Sequence, residues 1–123
     1  TEIKSVLSGL KHVYKSRKLI SIFQPHRYSR IKNLKKEFSK CFTDADVIML
    51  CPVYAAGEKK DRYYNANKFA KLIAKNSRVQ VIIVKKENEI KNYLLKNLIN
   101  DEIVIGMGAG TISNWMRDLK NKI

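Results

Sequence analysis

Apolar positions along the chain alternate between helical spacing and short unbroken runs. In residues 2–16, Ile3, Val6, Leu7, Leu10 and Tyr14 recur at helical spacing and predict one buried face. The run LISIF, 19–23, predicts a short strand covered on both faces. Helical spacing returns over 30–42, with Ile31, Leu34, Phe38 and Phe42, and the run VIMLC, 47–51, predicts a second buried strand. Ala66, Phe69, Ala70 and Ile73 then mark a helix, VQVIIV (79–84) a strand, and Ile90, Tyr93, Leu94 and Leu98 a helix. EIVIG (102–106) predicts the fourth strand, and Ile112, Trp115, Met116, Leu119 and Ile123 mark the last helix. Strict alternation with apolar strands implies an α/β fold: three layers, a mostly parallel Rossmann-like sheet, helices on both faces. No linker or repeat divides residues 1–123, so one domain is expected; GEKKDRYYNAN, 57–67, is expected to be an exposed loop leading into a helix.

Composition narrows this picture. With 45% apolar residues the chain has enough for a packed core. No apolar run approaches the roughly 18 residues of a membrane span, and the first residues lack a signal peptide's apolar stretch, so a cytoplasmic protein without a membrane partner is expected. Cys41 and Cys51 lack metal-ligand spacing and are expected to be buried free thiols. The formal charge of +14 raises the question of a polyanion partner. The excess is mostly lysine spread over the whole chain, the usual filler of solvated helix faces, so no nucleic-acid partner is expected.

Glycine and proline locate the chemistry. Six of the seven, Pro25, Pro52, Gly57, Gly106, Gly108 and Gly110, follow a predicted strand or end one. Ligands of open α/β sheets bind beyond the carboxyl ends of the strands. There the first strand bears QPHRYSR, the second PVYAAGE and the fourth GMGAG, and all three should converge on one edge. Arg27 and Arg30, three apart, fall on one side of a helix's first turn, where the helix dipole is already positive, and ask for an anion. Arginine's planar fork suits a carboxylate or phosphate. His26 alone is more often an ordinary surface or hydrogen-bonded histidine than a catalytic one. GMGAGT fits either a backbone wall against a ligand or a tight turn capped by Thr111 or Ser113, and Glu58 fits either a ligand-facing acid or a turn residue.

Together FQPHRYSR (23–30), VYAAGE (53–58) and GAGTI (108–112) strongly resemble, in order and spacing, the C-terminal domain of the Mur ligase family, in the branch that joins L-alanine to UDP-N-acetylmuramate. The opening TEI resembles the end of that family's HHPTE segment. The resemblance implies a three-domain enzyme of peptidoglycan biosynthesis in which ATP phosphorylates the substrate carboxylate and the amine of L-alanine attacks the acyl phosphate. Its implied partners are L-alanine, UDP-N-acetylmuramate, ATP with magnesium, and the two other domains of its own chain. The P-loop and metal ligands belong to another domain, so residues 1–123 alone are expected to be inactive, with no catalytic or metal-ligating residue assigned among them; missing earlier strands would leave a sheet edge unpaired. By position, His26 would shape the alanine pocket, and Arg27 and Arg30 would hold the alanine carboxylate and counter charge near the phosphoryl group. Tyr54, Ala55, Gly57 and Glu58 would line the cleft, with Gly108, Ala109 and Gly110 as a backbone wall. The chain departs from the family where GAGTI replaces GAGNI and where KKDRYYNANK follows YAAGE.

The alternatives are a related ligase of murein peptide recycling, which carries a different segment at QPHRYSR, and a basic α/β nucleic-acid module, which would need a one-sided basic stripe with exposed aromatics. A dinucleotide-binding domain would need G-x-G-x-x-G after the first strand, where QPHRYS stands instead.

Overall fold

A computed structural model describes residues 2–98, 101–108 and 110–122. Helices and strands alternate as the spacing predicts: α1 (Glu2–Val13), β1 (Leu19–Gln24), α2 (Tyr28–Ser39), β2 (Val47–Leu50), α3 (Ala66–Ser77), β3 (Gln80–Ile83), α4 (Glu87–Asn97), β4 (Ile103–Gly108) and α5 (Ile112–Lys122). The strands form one parallel sheet in the order β3-β2-β1-β4. The chain steps outward from β1 to β3, then crosses back to lay β4 on the other side of β1.

Alternation of side chains along β1 and β2 sorts the core into two layers. Leu19, Phe23, Ile48 and Leu50 pack with Leu7 of α1, Ile31 of α2, and Phe69 and Ile73 of α3. Ile20, Ile22, Val47 and Met49 pack on the opposite face with Ile90 and Leu94 of α4 and Ile112 and Leu119 of α5. Helices therefore cover both faces, and the direction of crossover reverses between β1 and β4. That reversal is the topological switch at which a crevice opens beyond the strand tips.

Several expectations are corrected. β1 and β2 are fully buried, as expected, whereas β3 and β4, the sheet edges, are half-buried. The first helix stops at Val13, and Val6 and Tyr14, placed on its buried face by spacing, are exposed. The second helix runs over 28–39 rather than 30–42. Leu34 departs from helical dihedrals (φ −118°, ψ 21°) and is exposed, while Phe42 leaves the helix and is fully buried, its ring 5.0 Å from that of Phe23. A turn after Ser39 tucks Phe42 under the sheet, its N–H donating to Ser77 Oγ. Cys41 and Cys51 are both buried, the Cys41 thiol donating to Glu37 O, and burial pushes the Cys51 thiol up to about 12. Ile123, assigned to the last helical face, lies outside the described residues.

Candidate functional site

The three punctuated segments do meet. Beyond β1, the backbones at 25–27 and 54 pair: Tyr54 N–H donates to Pro25 O at 2.9 Å and Arg27 N–H to Tyr54 O at 2.8 Å. The pairing carries Tyr54 across the tip of β1. Its ring stacks on His26, with centroids 5.8 Å apart and planes at 23°. On the far side lies Gly110, at φ 94°, where an added Cβ would strike the Tyr54 ring. Gly108, at φ 127°, comes so close to the backbone carbonyl of Gln24 that a side chain there would collide with it. Both glycines are thus required by close approach as well as by backbone conformation. Ala109 lies outside the described residues.

Gln24 fastens the tips together, a role its sequence position did not reveal. Its buried amide nitrogen donates to Pro52 O at 3.2 Å and Thr111 Oγ1 at 2.8 Å, and its Oε1 accepts from the N–H of Ile112 at 3.0 Å. One side chain on β1 therefore satisfies the loop after β2 and the first turn of α5. Thr111, where the family pattern has asparagine, is tied to this buried amide.

The arginine pair behaves differently from the expectation. Arg27 is the N-cap residue of α2, not part of its first turn, and sits at φ 65°, ψ 136° with no side-chain cap bond. An arginine in that region carries strain of roughly 1–3 kcal/mol. Its side chain is exposed at the rim. Arg30 is in the helix, and its guanidinium lies over the Phe38 ring at 5.9 Å from the centroid. The Arg30 guanidinium is thus engaged on an aromatic ring, while Arg27 stands one residue ahead of the helix.

The anion that the helix end asks for is supplied by the chain itself. Glu58 N–H donates to Ala55 O at 3.1 Å, closing a turn whose central residues, Ala56 (φ 51°) and Gly57 (φ 89°), both have positive φ, as a type I′ turn requires. The turn aims Glu58 at the start of α2. Its Oε2 accepts from the Ser29 hydroxyl at 2.5 Å and its Oε1 from the Ser29 N–H at 3.3 Å. These bonds, the Ser29 hydroxyl foremost, together with the Tyr28 N–H and the charge of Arg27, outweigh desolvation and hold the Glu58 carboxyl below its ordinary value. Beside this rim, the 57–67 segment leads into α3, not as a fully exposed loop but with Tyr64 packed on Tyr28 and Phe69, and the N-cap Asn65 accepts from Lys68 N–H. Among the described residues no cluster of three or more His, Cys, Asp or Glu side chains could hold a metal ion, and no helix is long and apolar enough to cross a membrane.

No family model matches the sequence. Curated relatives do. The chain is 50% identical, over all 123 residues, to the UDP-N-acetylmuramate–L-alanine ligase of Pelagibacter ubique. It is homologous over its full length to these ligases. A second, from Geotalea daltonii, is 36% identical over the same 123 residues. The chain spans about a quarter of the length of these ligases: 26% of the first and 27% of the second. Among solved structures, the murein peptide ligase of Psychrobacter arcticus matches 98% of the chain with 24% of its own length, at a TM-score of 0.72 and 13% identity. A domain of a Haemophilus ducreyi protein matches 99% of the chain with 82% of its own, at a TM-score of 0.66 and 12% identity. At such identities the likeness to these two is one of fold.

Proposed function

We propose that this chain is the C-terminal, amino-acid-binding domain of an ATP-dependent ligase that joins L-alanine to UDP-N-acetylmuramate. The observation that carries the reading is the full-length 50% identity to a ligase of that name, with the FQPHRYSR strand tip lying at the topological switch of the sheet. ATP and magnesium belong to the remainder of the enzyme, where the substrate carboxylate is activated as an acyl phosphate. The domain described here brings the nucleophile. The exposed guanidinium of Arg27 takes the alanine carboxylate through two parallel hydrogen bonds, which leaves the amine directed at the cleft. Arg30, once off the Phe38 ring, supplies a second positive charge on the phosphoryl side. His26, packed flat on Tyr54, limits the side chain the pocket accepts to a methyl group. Tyr54, Ala55 and Gly57 line the cleft, with Gly108 and Gly110 at its wall.

The test is the complete enzyme with ATP, UDP-N-acetylmuramate and a panel of amino acids. Amide formation with L-alanine, with glycine and L-serine several-fold poorer, is expected. Absence of ATP-dependent amide formation with L-alanine would refute the reading.

A further inference from the structure

We propose that Glu58 is a positioning residue: its carboxylate clasps the first turn of α2 and so fixes the Arg27 backbone at the angle from which its guanidinium meets the alanine carboxylate. The inference rests on the function proposed above and adds to it a residue that touches neither substrate nor ATP.

The geometry is that of a helix cap delivered by another loop. The first N–H groups of α2 have no intrahelical partner, and the N-cap residue, an arginine, has no acceptor to offer them. Glu58 stands in. It accepts from the backbone N–H and the hydroxyl of Ser29, two residues after Arg27. On the other side, Arg27 N–H is held by Tyr54 O, and Tyr54 lies four residues before Glu58. Arg27 is thus gripped from both flanks by one loop. That grip is what a positive-φ arginine needs, because nothing intrinsic to the residue favours φ 65°. The type I′ turn fixes the reach of the clasp, since Ala56 and Gly57 set the direction in which Glu58 leaves the loop.

The clasp also explains why Glu58 does not simply neutralise Arg27. Both oxygens of its carboxylate bond to Ser29, so the clasp engages the helix end rather than the guanidinium.

The experiment uses Glu58→Ala, Glu58→Gln and Ser29→Ala in the complete ligase. Kinetics are measured with alanine, ATP and UDP-N-acetylmuramate varied in turn, and amide exchange is followed in the peptide spanning 27–31. Glu58→Ala is expected to raise the KM for alanine about 10- to 100-fold, with kcat and the KM for ATP changed less than about threefold. Exchange at Tyr28 and Ser29 should rise in parallel. Glu58→Gln keeps an acceptor oxygen and should fall between Ala and wild type. Unaltered exchange in Glu58→Ala would overturn the clasp. Raised exchange with an unchanged alanine KM would overturn the positioning role. Equal and tighter alanine binding in Ala and Gln would show Glu58 to be a competing charge instead. Each of these is scored beside an active wild type; a wild type unable to use alanine would remove the ligase function first and the positioning role with it. Should Glu58→Ala fail to fold, Glu58→Gln and Ser29→Ala decide on the same measurements.

Discussion

Arg27 is held at a positive φ that a glycine would adopt freely, and its side chain is exposed. Strain kept at a rim position points to a side chain needed for more than folding. On the function proposed above, Arg27→Lys and Arg27→Ala in the complete enzyme should each lose roughly 30- to 1000-fold in kcat/KM for alanine, because a point charge cannot reproduce a bidentate pair and about 2–4 kcal/mol of charge-assisted bonding is lost. Arg27→Gly should lose as much activity yet melt no lower than wild type, since it relieves the backbone. Near-normal efficiency in all three would refute the carboxylate site. Glu58 makes a second prediction. Its folded pKa is depressed below the ordinary 4.5, so the stability it contributes is present above that value and lost as pH falls through the folded pKa. Thermal melts of wild type and Glu58→Gln should therefore differ at pH 6–7 and draw together as the pH falls below 4.5; a pH-independent gap would remove the ionised cap. At this scale the residue types were legible in the sequence and their bonds were not. QPHRYSR raised the expectation of an anion site, but Ser29 and Glu58 are 29 residues apart and Gln24 and Ile112 are 88 apart, so no local pattern discloses those partnerships. Positive φ at Arg27 is equally silent, since it is imposed by the Tyr54 and Glu58 contacts rather than by any turn residue.

The elements were legible because burial imposes periods on the sequence: β1 and β2, packed on both faces, are unbroken apolar runs, and α3 and α4 keep their stripes. Where burial is partial the period blurs, which is why α1 was drawn too long and α2 too far toward its C-terminus. Phe42 shows the physical reason: a turn buries it as fully as a helix would, so its apolar character did not mark the end of α2. The joints between elements depend on Gln24 and Gly108. Gln24→Ala would leave the Ile112 N–H and Pro52 O without their partner and open a cavity, a loss of about 3 kcal/mol. Gly108→Ala would set a methyl group against Gln24 O at a backbone angle alanine resists, a loss of about 2–3 kcal/mol. By contrast Gly9→Ala, in open space on α1, should stabilise by about 0.5–1 kcal/mol. Urea denaturation of the three variants checks the order; a Gln24→Ala variant as stable as wild type would show that the strand tips are held by something other than this amide.

For the whole molecule the +14 charge is the property most easily misread. What matters is its distribution over the layers. Lys4 and Lys11 lie on α1, Arg30, Lys32, Lys35 and Lys36 on α2, and Lys68, Lys71 and Lys75 on α3, all covering one face of the sheet. Lys91 and Lys96 on α4 and Arg117 and Lys120 on α5 cover the other. A nucleic acid lying along one face would meet only part of this charge, and the aromatics needed for a stacking platform are largely committed inside: Phe23 to Phe38 and Phe42, Tyr64 to Tyr28 and Phe69. A specific footprint of six to ten phosphates loses about 10³–10⁵ in affinity between 50 and 200 mM salt and still retains sequence preference. This chain should instead bind duplex DNA, single-stranded DNA and RNA indiscriminately at 50 mM salt, and no tighter than roughly 10⁻⁴–10⁻⁶ M at physiological salt. Titrations with all three polymers across that range decide the matter. Tight binding that survives physiological salt and distinguishes sequences would mean that the basic surface is a recognition site, and that the strand-tip arginines must be reconsidered as part of it.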